Sequence, residues 1–227
     1  MAQPIYLVGG SKGGVGKSLM TMALVDFLTA VGKQVLLVES DTSNPDVAKC
    51  YKGEVETELV NLDDADGWIH LVNLCDTHSD STVVINTAAR NMTAMAASGQ
   101  TLSGTLAELK RKLVCLWVVN RQRDCLELLK EFTEVMPNAE VHVVRNLHFG
   151  DEKKFELYNA SKLREGIEKN GGKSLNLPDL ADRVSDDIYS GRLSIAKAST
   201  ELPIGNRAEL ARWRNEVKKM LVEIAHE

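Results

Sequence analysis

The four cysteines, Cys50, Cys75, Cys115 and Cys125, show no CxxC spacing and no grouping with histidine. Their scatter excludes a legible zinc site or a disulfide scaffold, and a reducing, cytoplasmic setting is expected. No apolar run approaches the roughly 20 residues of a membrane-spanning helix. The start, Met1-Ala2-Gln3-Pro4, has neither the basic region nor the long apolar stretch of a signal peptide. Positive charge is not in excess: 27 Lys and Arg face 32 Asp and Glu, a formal net charge of −5. Bulk electrostatics therefore do not commit the chain to nucleic acid, although a local basic face would escape this count. Repeats, low-complexity tracts and linkers are absent, which excludes a solenoid or a string of modules. The five histidines show no ligand spacing, and His78 and His148 lie in polar stretches expected to face solvent.

What remains is an ordinary globular composition, 44% hydrophobic and 26% charged, over 227 residues. That length suits one sizeable core, so a single domain over residues 1–227 is expected. Ile5 to Val8 is an apolar, β-favouring run ended by Gly9-Gly10 and reads as a buried strand. Leu19, Met22, Ala23, Val25, Leu28 and Val31 recur with helical spacing, and Gly32 is placed to stop that helix. Gln34 to Val38 is a second strand. Strand, glycine loop, helix, strand is one βαβ unit, whose strands must be parallel.

Further strands are expected at 82–85, 113–119 and 141–145. Helices are expected at 68–74, within 94–113, at 125–135 and at 155–169. Asn206 is expected to cap a last helix with Leu210, Trp213, Val217, Leu221 and Ile224 on one face. Strands alternating with helices imply an α/β fold: one doubly wound, mostly parallel sheet with helices on both faces.

The chemistry concentrates in Lys12-Gly13-Gly14-Val15-Gly16-Lys17-Ser18. Glycines let the backbone curl so that successive N–H groups, with the positive end of the following helix, hold phosphate oxygens. The backbone from Gly13 to Leu19 is thus the candidate phosphate cradle, through Gly14, Val15, Gly16, Lys17 and Ser18. Lys17 can reach β and γ phosphates, and the Ser18 hydroxyl can ligate Mg²⁺. The strict pattern wants glycine five residues before Gly16, where this chain has Ser11.

This loop resembles the deviant Walker A motif of the ParA/MinD ATPases. That family places a second lysine at the start of the loop and tolerates a non-glycine before it, which accounts for Ser11. The resemblance is strong over residues 4–45 and continues more weakly to about residue 205. It implies ATP as ligand, a cytosolic protein, and a role in plasmid partition, conjugative transfer or mobilisation. It also gives Lys12 a task that spacing alone does not: reaching across a face-to-face homodimer to the partner's nucleotide phosphates.

Strand ends line the ligand crevice in such folds. The turn after the second strand carries Glu39 and Asp41, where the family shows two aspartates one residue apart. Asp41 is assigned beside Mg²⁺ and the attacking water. The strand at 82–85 should run into an aspartate but meets Asn86, which is assigned to the metal site as an acceptor for a metal-bound water, yet carries no charge and cannot take a proton. Binding should survive this change, whereas hydrolysis should be weak or dependent on a partner. On this reading Asn86→Asp restores charge beside the metal. Asn120-Arg121 and Arg145-Asn146, each after a strand, are both candidates for the base; by resemblance, Asn146 and the backbone after Leu177-Pro178 are assigned to the adenine. No guanine-specifying Asn-Lys-x-Asp run appears.

Two other classes stay open: a P-loop ligase or kinase acting on a small molecule, and an interaction module that binds ATP without turning it over. An iron protein of the nitrogenase type is excluded, because Cys75 and Cys125 lack a cluster context. Candidate basic clusters for non-specific DNA are Lys110-Arg111-Lys112, Arg121 with Arg123, and Arg212 with Arg214; the alternative partner is a protein adaptor of a partition or transfer complex. Membrane attachment by the last helix is disfavoured, since Glu209, Glu216 and Glu223 are mixed among its basic residues.

Overall fold

In the computed structural model, residues 3–88 and 92–225 are described. Met1 and Ala2, part of the stretch weighed as a signal peptide, lie outside that set. β1 (Ile5–Gly10) runs into the glycine loop and α1 (Lys17–Ala30) leaves it. β2 (Val35–Glu39), α2 (Asp46–Cys50), β3 (Glu56–Leu59) and α3 (Ala65–Thr77) follow. After β4 (Thr82–Asn86) come three short helices, α4 (Met92–Ser98), α5 (Gln100–Ser103) and α6 (Leu106–Leu109). β5 (Leu113–Val119), α7 (Asp124–Val135) and β6 (Glu140–Asn146) complete the centre. The rest comprises α8 (Glu156–Asn159), α9 (Lys162–Lys169), β7 (Ser174–Leu177), α10 (Asp182–Gly191), α11 (Ile195–Glu201) and α12 (Ile204–Val222).

All pairings are parallel, in a seven-stranded sheet of order β3-β2-β4-β1-β5-β6-β7. The inner strands are apolar on both faces because helices cover both. In β5, Val114, Leu116 and Val118 point into one core cluster with α1, α10, α11 and α12. Leu113, Cys115, Trp117 and Val119 point into the other, with α3 and α7. β1 lies between β4 and β5, where the strand order reverses. The carboxyl ends of β2, β4, β5 and β6 therefore gather around the loop that leaves β1.

The expected α/β architecture is the observed one; several local expectations need correction. β3 and β7 have no signal in the sequence because both are sheet-edge strands with mixed sequences, Glu-Thr-Glu-Leu and Ser-Leu-Asn-Leu, and no apolar run. The helix expected within 94–113 is three short pieces, the last closed by Lys110 in a left-handed conformation (φ 54°). The helix expected over 155–169 breaks before Ser161, whose side chain caps α9 by accepting from the Arg164 N–H. Asn206 caps nothing. α12 starts at Ile204 behind Pro203, whose fixed φ and absent N–H suit a helix start, and Asn206 donates to Asp187 instead. The apolar face of α12 is as expected: Leu210, Trp213, Val217, Leu221 and Ile224 are all buried.

Arg111 is the largest departure. It is 5% exposed and donates to the carbonyls of Gln3, Pro4, Cys75, His78 and Ser81 at 2.7–3.2 Å. It ties together the backbone at the amino ends of β1 and β4 with the end of α3, so it is a staple rather than a surface cation. Arg111→Ala strands several buried acceptors and should cost about 3 kcal/mol or more in urea unfolding. A loss below about 0.5 kcal/mol, the scale of an ordinary surface substitution, would contradict this role.

Candidate functional site

The loop between β1 and α1 is shaped by backbone that only glycine adopts readily. Gly14 and Gly16 have φ of 76° and 105°. A Cβ on Gly16 would stand 2.5 Å from Asn146 Nδ2, so the loop and β6 approach as closely as a missing side chain allows. Gly16 is also the N-cap of α1 and offers no side-chain acceptor. The first N–H groups of a 14-residue helix are thus left for a ligand, together with the helix dipole.

Side chains from two later elements hold the loop in place. Asn146 Nδ2 donates to the Val15 carbonyl at 2.9 Å, and Asn146 Oδ1 accepts from the His148 N–H at 3.1 Å. Ser11 Oγ meets Cys125 Sγ at 2.7 Å, and that thiol also reaches Asn120 Oδ1 at 2.8 Å. Serine in place of the usual glycine is thereby used to anchor the loop to the start of α7. Cys125, featureless in sequence, becomes part of the site's frame.

Both loop lysines are engaged within the chain. Lys12 forms an ion pair with Asp124 at the start of α7, and the Asp124 carboxylate raises its pKa. Lys17 Nζ donates to the Lys12 carbonyl at 2.9 Å. Burial pushes the Lys17 ammonium down to about 8, against the opposing pull of the Asp41 carboxylate.

The loop opens onto a cleft of about 410 Å³. Gly13, Gly14, Gly16, Lys17, Ser18, Leu19, Asp41, Asn146 and Pro178 all line it. Val15 does not: its side chain enters the core and its carbonyl takes the Asn146 amide. Lys12 stands beside the cleft, turned to Asp124. Asn44, Thr87, Asp179, Asp182 and Tyr189 also line it without a sequence assignment, as does His148, expected only to face solvent. Their only common signal is position after a strand end or on α10. Pro178 is fixed from behind by α12, because Trp213 Nε1 donates to its carbonyl at 2.8 Å.

Asn86 lies behind the lining in a buried chain of hydrogen bonds. Its Oδ1 accepts from the Thr21 hydroxyl at 2.9 Å, and its Nδ2 donates to Glu39 Oε1 at 2.8 Å. Thr21 also reaches the Lys17 carbonyl at 3.0 Å, which ties this chain to the start of α1. Glu39 Oε1 accepts the Asp41 N–H at 3.0 Å as well. Burial pushes the Glu39 carboxyl up to about 7, although the Asn86 amide and the Asp41 and Ala48 N–H groups pull it back.

Residues 6–149 match the family described as the CobQ/CobB/MinD/ParA nucleotide binding domain. The chain belongs to that family. It is 70% identical, over all 227 residues of both chains, to "Protein MobD" of Acidithiobacillus ferrooxidans. Its fold is similar to that of the MinD cell division protein of Aquifex aeolicus (TM-score 0.56, 14% identity, 99% of this chain and 98% of that one). It is also similar to a nucleotide-binding protein of Archaeoglobus fulgidus in complex with ADP (TM-score 0.54, 14% identity, 88% and 91% covered).

In this family member the basic clusters fare unequally. Arg111 is the buried staple described above, and Lys110 and Lys112 flank it at the amino ends of the strands, far from the cleft. Arg214 is paired with Asp26 at 2.8 Å and Arg212 with Glu209 and Glu216, so neither is an unneutralised cation. Of the candidate clusters, Arg121 with Arg123 is the exposed pair at the carboxyl end of β5, the end of the sheet that carries the loop. No helix among the described residues is long and apolar enough to cross a membrane.

The lowered pKa of Lys17 gives a pH signature. Phosphate favours the charged ammonium, so nucleotide binding should raise that pKa. Above pH 8 the free site has lost the proton that the bound site keeps. Binding should therefore take up a proton there, and affinity should fall with pH by up to about tenfold per unit. Calorimetry at pH 8.5 in buffers of different ionisation enthalpy measures this uptake, which Lys17→Met should abolish. Uptake that persists in Lys17→Met would assign it elsewhere.

Proposed function

We propose that this chain binds ATP with Mg²⁺ in the cleft at the end of β1 and uses the nucleotide to control a homodimer. The observation that carries this reading is the uncapped N-terminus of α1 opening, with Lys17 and Ser18, onto a cleft large enough for a nucleotide. Asn146 has one amide hydrogen and one oxygen lone pair left after bracing the loop, enough for a base contact beside Pro178. Oxygen donors suit magnesium: the Ser18 hydroxyl and Asp41 carboxylate line the cleft, and Glu39 adds a buried carboxylate behind them. Among the described residues no group of three or more His, Cys, Asp or Glu could hold a metal by itself. Magnesium here would be shared with phosphate oxygens, as is usual for that ion.

Hydrolysis is weak or partner-stimulated in this reading, because β4 ends in an amide, which cannot take a proton from the attacking water. The biological setting is cytoplasmic DNA mobilisation or partition, in keeping with the name of the MobD relative. Arg121 and Arg123 are the basic residues a DNA contact would use, doubled in density by a twofold dimer. A protein adaptor is the alternative partner.

Lys17→Ala should weaken ATP binding by roughly 2–5 kcal/mol, as for the loss of one partner of a buried charge pair. Unchanged affinity by calorimetry would refute the site. ATP but not ADP should shift sedimentation from monomer to dimer. Lys12→Ala should remove that shift, since Lys12 must leave Asp124 to reach a partner's phosphates. A wild-type monomer indifferent to ATP would refute the dimer.

DNA binding, if direct, should need ATP and weaken steeply with salt. Arg121→Ala with Arg123→Ala should remove it, and Lys110→Ala with Lys112→Ala should not. No binding to arbitrary duplex in any nucleotide state would transfer the role to a protein partner.

A further inference from the structure

We propose that Glu39, at the end of β2, supplies the negative charge to the metal side of the site, and that Asn86 is the positioning residue that aims it. The assignment rests on the ATP and Mg²⁺ reading above. β2 and β4 are paired in register, with Glu39 opposite Asn86. Both ends of the Asn86 amide are occupied: the oxygen by Thr21, the nitrogen by Glu39. Asn86 is therefore turned along the strand ends and gives its donor to a carboxylate. An aspartate at this position has no donor to give.

Glu39 is the other half of the argument. It is fully buried; Oε1 takes two N–H donors, the Ala48 N–H also favours the charged carboxylate, and Oε2 makes no hydrogen bond within 3.5 Å. No salt bridge to it is found among the described residues. Buried carboxylates are paired or coordinate metals, since an isolated one is costly to bury. Glu39 stands two residues before Asp41, which lines the cleft, and is itself buried behind that lining. A cation arriving with the nucleotide would find the carboxylate on β2 rather than on β4. Asparagine at 86 is then the complement of glutamate at 39, not a lost carboxylate, and the two positions have exchanged roles.

This reverses the expectation for Asn86→Asp. That substitution alone sets two carboxylates within hydrogen-bond distance and removes the donor. The informative set is Glu39→Gln, Asn86→Asp and the two combined, which restores an amide–carboxylate pair with its polarity inverted. Binding of a fluorescent ATP derivative is measured in excess MgCl₂ and in EDTA, alongside the melting temperature of each variant without nucleotide.

In the wild type Mg²⁺ should raise affinity about tenfold, within the usual range for coupled ligands. Glu39→Gln should keep the affinity seen in EDTA and lose the magnesium increment. Asn86→Asp should melt below the wild type, and the double variant should recover both melting temperature and increment. A Glu39→Gln variant that keeps the increment overturns the assignment. So does an Asn86→Asp variant that melts like the wild type and shows a larger increment. Wild-type protein that binds no nucleotide in either condition overturns the function itself, and the Glu39 assignment falls with it.

Discussion

The loop between β1 and α1 contains three glycines, no side-chain helix cap and one apolar side chain, Val15, that reaches the core. Its shape is imposed from outside. The Asn146 amide takes the Val15 carbonyl from one side, and Cys125 takes the Ser11 hydroxyl from the other. The contact between Asn146 and Gly16 is so close that the glycine and the asparagine constrain each other. This arrangement requires β6 and α7 to stand where they do, and hence requires β1 in the middle of a parallel sheet. The uncapped helix end, the reach of Lys17 and the cleft all follow from it.

The same centrality explains why charge is handled so sparingly near the site. β1, β2 and β4 end side by side in the protein interior, so polar groups there must satisfy one another. Thr21, Asn86, Glu39 Oε1 and the Asp41 N–H do this in one connected chain, which leaves Glu39 Oε2 outside it. At the opposite edge Arg111 performs a related task, gathering carbonyls that the incoming strands would otherwise leave without donors. Neither arrangement is a surface feature, although two of the residues, Arg111 and Asn86, look like surface or ligand-facing groups in the bare sequence.

Legibility of the sequence followed local physics. A parallel inner strand is apolar on both faces, so β1, β2, β4, β5 and β6 stand out as short apolar runs. Edge strands have one partner and one wet side, and β3 and β7 carry no such signal. The short helices between β4 and β5 are set by packing on the sheet rather than by a periodic apolar face. Their sequence therefore suggests one helix ending in a basic cluster.

The sequence alone determined the βαβ unit, the glycine loop with Lys17 and Ser18, and the α/β class, because each depends on residues adjacent in the chain. It also marked Asp41, Asn86, Asn146 and Pro178 as worth attention, since they follow strand ends that a parallel sheet must bring together. Tertiary structure decided what those residues do. Asn146 braces the loop, Asn86 addresses Glu39, and Lys12 is held by Asp124, with partners up to 131 positions away in the chain. Such pairings depend on distance and direction between strand ends, and no spacing along the chain encodes either.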